Sequence, residues 1–104
     1  KLSAEIRLDD EILIKKNLDI LKRYQSTGFQ NNYLSSSGDI SVSEQHPLIN
    51  ILYDPQTNGP LLFSINKNFK TEFDREFDSY DSFRPIFLGK FTKQGEKLVK
   101  IINN

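Results

Sequence analysis

The chain has 104 residues, 37% of them hydrophobic and 27% charged, with 14 Lys and Arg set against 14 Asp and Glu. At that length about two-thirds of the unfolded surface can be buried, enough for one modest core, and the composition excludes a low-hydrophobicity tail or a fibrous repeat. The even charge balance removes the simplest grounds for a nucleic-acid or anionic-membrane partner. No apolar run approaches the ~18 residues of a membrane span, and the N-terminus lacks the apolar core of a signal peptide. Cysteine is absent, which excludes disulfides, thiolate metal sites and a cysteine nucleophile in this chain. Methionine is absent too, including at position 1, so the sequence reads as a piece of something longer.

Ser3 to Leu8 alternates Ala4, Ile6 and Leu8 with Ser3, Glu5 and Arg7, the period-2 pattern of a half-buried strand. Asp9 or Asp10 then supplies an N-cap, with Glu11 in the first turn, where the helix dipole favours a carboxylate. Leu13, Ile14, Leu18, Ile20, Leu21 and Tyr24 recur at helical spacing, giving an amphipathic helix to about residue 25 with Gly28 as its terminator. Residues 26–45 are polar and read as one long loop, inside which Ile40 and Val42 could form a short edge strand. Leu48 to Tyr53 is an apolar run whose type periodicity leaves open.

Asp54-Pro55-Gln56-Thr57-Asn58-Gly59-Pro60 is the densest cluster of turn formers. It leads into Leu61–Ile65, which reads as a buried strand. Phe69, Phe73, Phe77 and Tyr80 then mark a second amphipathic helix with Asn68 as a cap and the ring stripe facing a core. Ile86–Phe91 and Lys97–Ile102 read as two strands of a hairpin turned at Gln94-Gly95. The fold class expected is α+β: a single domain with two helices packed on a mainly antiparallel sheet.

Chemistry concentrates at the Asp54 turn. Asp54 can accept hydrogen bonds or contact a cation, Thr57 carries a hydroxyl, and Gly59 permits a backbone geometry closed to other residues. Such a turn can cradle an anion. Equally, Asp54 can bond its own downstream amides as a purely structural Asx-turn. His46, alone and beside Pro47, reads as a surface residue with no catalytic partner in the sequence. The carboxylates at 72, 74, 76, 78 and 81 and the lysines at 90, 93, 97 and 100 read as solvated faces. No phosphate-loop, dinucleotide or zinc motif is present, and the chain offers no catalytic residue and no metal site of its own.

The stretch Ile51-Leu52-Tyr53-Asp54-Pro55-Gln56-Thr57-Asn58-Gly59-Pro60-Leu61-Leu62 resembles the signature of the selenophosphate synthetase (selenide, water dikinase) family. There an apolar run leads into Asp-Pro-Gln-Thr-Ser-Gly-Gly-Leu-Leu, so Asn58 stands for the serine and Pro60 for the second glycine. Thr27-Gly28-Phe29-Gln30-Asn31-Asn32 sits where that family has a glycine-and-asparagine loop, and Leu88-Gly89-Lys90-Phe91 resembles the start of its final hairpin. The resemblance implies that residues 1–104 are the later part of a C-terminal domain of the aminoimidazole ribonucleotide synthetase type, partly ferredoxin-like. The ATP-binding domain, with its reactive cysteine or selenocysteine, would be absent from the chain.

The same resemblance implies a cytoplasmic parent protein that makes selenophosphate from ATP, selenide and water, with Mg2+ neutralising phosphate charge. The 104-residue chain would be inactive alone. Its partner would be the rest of its own polypeptide, with no nucleic acid or membrane involved and a homodimeric parent among the assemblies admitted. Asp54, Gln56, Thr57 and Gly59 are the positions carried over as substrate-side residues. Pro60 departs from the pattern, since it removes an amide donor and fixes φ. That departure leaves open a binding module that kept the fold and lost the chemistry. Another ATP-dependent enzyme of the same superfamily is a third reading, against which the Asp-Pro-Gln-Thr core speaks.

Overall fold

The structure is a computed structural model that describes residues 1–8, 18–55, 61–80 and 84–102, with no account of the side chains at 18 and 21. The chain divides into two compact units, Lys1–Gln56 with Leu88–Asn104, and Thr57–Phe87. The second is too short, at about 30 residues, to hold an independent core without a metal or disulfide. The chain therefore counts as one α+β domain.

The first unit contains strand β1 (Leu2–Arg7), helix α1 (Leu18–Arg23), helix α2 (Phe29–Ser36), strand β2 (Ile40–Ser41) and helix α3 (Ile49–Leu52). After the second unit, which carries helix α4 (Lys70–Phe77), the chain returns as strands β3 (Gly89–Lys93) and β4 (Val99–Ile102). The sheet has the order β2-β4-β1-β3. β1 pairs antiparallel with β3 and parallel with β4, while β2 pairs parallel with β4.

The sheet is thus mixed, where mainly antiparallel pairing is expected from the sequence, and the hairpin expected at Gln94-Gly95 does not form. β1 lies between β3 and β4 instead, so the short connection crosses the end of a third strand. Turn formers fix a reversal of direction but leave open whether another strand enters the gap. β1 and β2 run parallel with β4 between them, a split β-α-β unit of the kind ferredoxin-like folds use.

Register aligns Ile40, Val99, Ala4 and Phe91 across all four strands, so the alternation read in β1 places a continuous apolar row on one face. The next row is Ser41, Lys100, Glu5 and Lys90, where Lys90 Nζ lies 3.5 Å from Glu5 Oε2. Buried side chains include Phe29, Leu48, Ile51, Tyr53 and Ile101, joined by two polar ones, Ser3 and His46.

Several local expectations change. The region expected as one long loop folds into α2, a 3-10 turn at Ser37–Asp39 and β2; Phe29 and Tyr33 give this otherwise polar helix enough apolar anchorage to fold. Gly28 is the N-cap of α2 rather than the end of α1, and the helix start expected at Asp9 or Asp10 lies outside the described residues. The Leu48–Tyr53 run, whose type periodicity leaves open, contains the single helical turn α3.

In the second unit Leu61–Ile65 is irregular rather than a buried strand, with Leu61 81% and Leu62 80% exposed. An apolar run becomes a strand only where a neighbouring strand accepts its backbone, and this unit has no other strand among its described residues. Asn66, not Asn68, caps the helical segment, its Oδ1 accepting from the Asn68 amide at 3.0 Å. Among the described residues the rings of the stripe meet one another and Phe63: Phe63–Phe73, Phe73–Phe77 and Phe77–Tyr80 centroids are 5.8, 5.1 and 6.3 Å apart. Phe69 remains exposed, and among the described residues of this unit none is buried, so the core expected behind the stripe is not seen there.

Candidate functional site

Asp54 and Pro55 are the first residues of the turn-forming cluster, and the fold sets them against α2. The N-terminal end of α2 and the chain just after α3 meet through three aromatic rings. Tyr53 stands edge-on to Phe29 at 5.6 Å and to Tyr33 at 5.2 Å, while Phe29 and Tyr33 stack at 5.9 Å. Each such pair contributes about 0.5–1.5 kcal/mol beyond burial, enough to fix one short helix against another. Burial of Tyr53, and secondarily the neighbouring Tyr33, raises its phenol above the ordinary value of 10.0, because the phenolate loses more hydration than the phenol.

Two polar details bring the cluster closer to Asp54. Asn32 Nδ2 donates to the Tyr53 carbonyl at 2.8 Å, and the Asp54 amide donates to the Ile51 carbonyl at 3.1 Å. Gly28 faces the Pro55 ring so closely that a Cβ there would lie 2.5 Å from Pro55 Cγ. The glycine-and-asparagine stretch and the Asp-Pro stretch, separate in the sequence, are therefore one structural feature.

Asp54 is half-buried. The other expected substrate-side residues, Gln56, Thr57 and Gly59, lie outside the described residues, as do Asn58 and Pro60. Among the described residues no group of three or more His, Cys, Asp or Glu side chains gathers. Mg2+ is commonly held by one or two carboxylates together with substrate phosphates and water, so a single carboxylate such as that of Asp54 is compatible with it.

His46 is not the surface residue its isolation suggests. It is 6% exposed, its Nδ1 accepts from the Leu48 amide at 3.1 Å, and its carbonyl accepts from the Ile49 amide at 3.0 Å. The side chain thus caps the start of α3, which in turn delivers Tyr53 and Asp54. The contact that sequence reasoning misses is that of Asn32 with the Tyr53 carbonyl. Its only signal is position within the Thr27–Asn32 stretch, because a contact across 21 residues leaves no periodicity.

Comparison with known proteins gives two related sequences. The chain is 27% identical over 79 residues to a selenide, water dikinase of Clostridioides difficile, a match covering 76% of this chain and 22% of that protein. It is 31% identical over 70 residues to a selenide, water dikinase of Treponema denticola, covering 62% of this chain and 20% of that protein. The chain thus matches about a fifth of the length of these curated relatives. No family model matches the sequence, and no solved structure matches the fold. No helix among the described residues is long and apolar enough to cross a membrane.

Proposed function

We propose that this chain is part of the C-terminal domain of a selenophosphate-synthetase-like protein, and that it acts together with an ATP-binding domain of the same polypeptide. The observation that carries the reading is the likeness to two selenide, water dikinases over most of this chain. The Asp54-Pro55-Gln56-Thr57 core supports it. So does the packing of Asp54–Pro55 against α2, which gives the segment a fixed origin on the fold.

In this reading Asp54 accepts a hydrogen bond or supplies one carboxylate ligand to Mg2+, while Gln56 and Thr57 donate toward a phosphate or a related anion. Gly59 lets the backbone approach that anion closely. Mg2+ and ATP belong to the whole protein, which works in the cytoplasm. The phosphoryl chemistry itself is electrostatic stabilisation and positioning, and this chain contributes positioning.

The test is turnover. The full-length protein, given ATP, Mg2+ and selenide, forms selenophosphate; the 104-residue chain alone does not. Selenophosphate formation or ATP hydrolysis by the isolated chain overturns the assignment of a non-catalytic part. A full-length protein that binds its ligands and turns nothing over favours the alternative motivated by Pro60 and Asn58, a binding module without chemistry.

A further inference from the structure

We infer that Asn32 and Gly28 are positioning residues for Asp54. The inference concerns how that residue is aimed, and its functional consequence rests on the reading of Asp54 as substrate-side. One peptide unit carries the argument. The Tyr53–Asp54 peptide presents a carbonyl on one side and an N–H on the other, and both are bonded to fixed partners. The carbonyl accepts from Asn32 Nδ2 at 2.8 Å, and the N–H donates to the Ile51 carbonyl at 3.1 Å. With both ends held, the plane of this peptide cannot rotate without breaking a bond that is partly shielded from water.

The next residue is restrained as well. Pro55 fixes its own φ and pushes Asp54 toward extended backbone. Its ring rests against the bare Cα of Gly28, with no room for a Cβ on that side. Tyr53, 3% exposed, is held with its ring edge-on to both Phe29 and Tyr33. Three consecutive residues thus leave the core in one direction, and two of the restraints on them, the Asn32 amide and the close approach of Gly28, come from the start of α2. Side chains that act on an anion lose effectiveness when displaced by as little as 1 Å. A device that fixes the exit direction of Asp54 therefore acts on function as well as on stability.

The test uses Asn32→Asp in the full-length protein, an isosteric change that replaces the amide donor with an acceptor facing a carbonyl. Gly28→Ala is the second variant, because it displaces Pro55 by a different route. Amide hydrogen exchange is followed by mass spectrometry in peptides spanning residues 51–62, with selenophosphate formation measured in parallel. The expected result is exchange about tenfold faster in that stretch in both variants. Peptides from the rest of α2 and from the sheet keep the parent rate, and kcat falls with KM for ATP little changed.

Unchanged exchange in residues 51–62 overturns the inference. So does a uniform rise across the whole domain, which marks Asn32 as a stability residue only. Asp54→Asn separates this inference from the reading it rests on. If exchange rises locally in Asn32→Asp while neither that variant nor Asp54→Asn loses turnover, the positioning role stands and the substrate-side role of Asp54 falls.

Discussion

The Gly95 amide donates to Ser3 Oγ at 2.9 Å, joining residues 92 positions apart, and the same hydroxyl donates to the Lys97 carbonyl at 2.8 Å. The connection from β3 to β4 is therefore wrapped around one serine of the strand it has to cross. Ser3 is 7% exposed although it stands on the polar side of the β1 alternation, and its two bonds explain how a polar group is buried there.

Replacing Ser3 by Ala leaves the Gly95 amide without its acceptor and frees the crossover. Ser3→Ala is expected to lower stability by about 1–3 kcal/mol, read as a lower denaturant midpoint at unchanged slope. Ser3→Thr keeps the hydroxyl and is expected to lose less.

Gly89 and Gly38 form a contrasting pair. A Cβ at Gly89 would lie 2.0 Å from the Glu5 carbonyl oxygen, whereas one at Gly38 meets nothing within 4 Å. The first neighbour is backbone of the strand that β3 pairs with, so it cannot step aside without breaking the ladder. Gly89→Ala is expected to cost about 3 kcal/mol, while Gly38→Ala stays within about 0.5 kcal/mol of the parent. Thermal melts of the two variants decide it.

These features separate what the sequence makes legible from what it does not. β1 is readable because alternation over Ser3–Leu8 is a local property of the pleat, and Ile40 as an edge strand follows from two β-branched residues among serines. The α+β class follows from such local patterns. The position of β1 between β3 and β4 does not, since it is decided by contacts such as Ser3 with Gly95 that span the chain. Leu61–Ile65 shows the converse: an apolar run with strand composition stays irregular where no strand accepts it. At the candidate site, Asp54 and Pro55 are legible from their composition. The brace formed by Asn32 and Gly28 is geometry between distant segments, and His46 carries no mark that it caps α3.

His46 supplies a further test. Its Nδ1 takes the Leu48 amide out of the orphaned set at the start of α3. His46→Leu leaves that N–H buried and unbonded, and is expected to cost about 1–3 kcal/mol. His46→Asn offers a shorter acceptor and recovers part of the loss. Denaturation midpoints of the two variants, compared with the parent, check this order.

Tyr53 carries a pH signature. Burial, with a smaller effect from Tyr33, raises its phenol in the folded state, so the native protein favours the neutral form. The unfolded chain ionises this group first as the pH rises past 10. The stability it contributes is therefore complete below pH 10 and declines above it. Tyr53→Phe is expected to flatten the stability profile above pH 10. Ultraviolet titration of the phenols is expected to show one Tyr fewer ionising late. A profile unchanged by the substitution contradicts the burial argument.

The most direct measurement of the central claim is the activity of Asp54→Asn, Gln56→Ala and Thr57→Val in the full-length protein, set beside their melting temperatures. A substrate-side segment predicts selenophosphate formation reduced at least ~10²-fold in Asp54→Asn, in line with the loss of one preorganised polar contact, with the melting temperature within about 2 °C of the parent. Undiminished turnover, or activity lost only in step with a falling melting temperature, contradicts it and makes the Asp54 segment architecture alone.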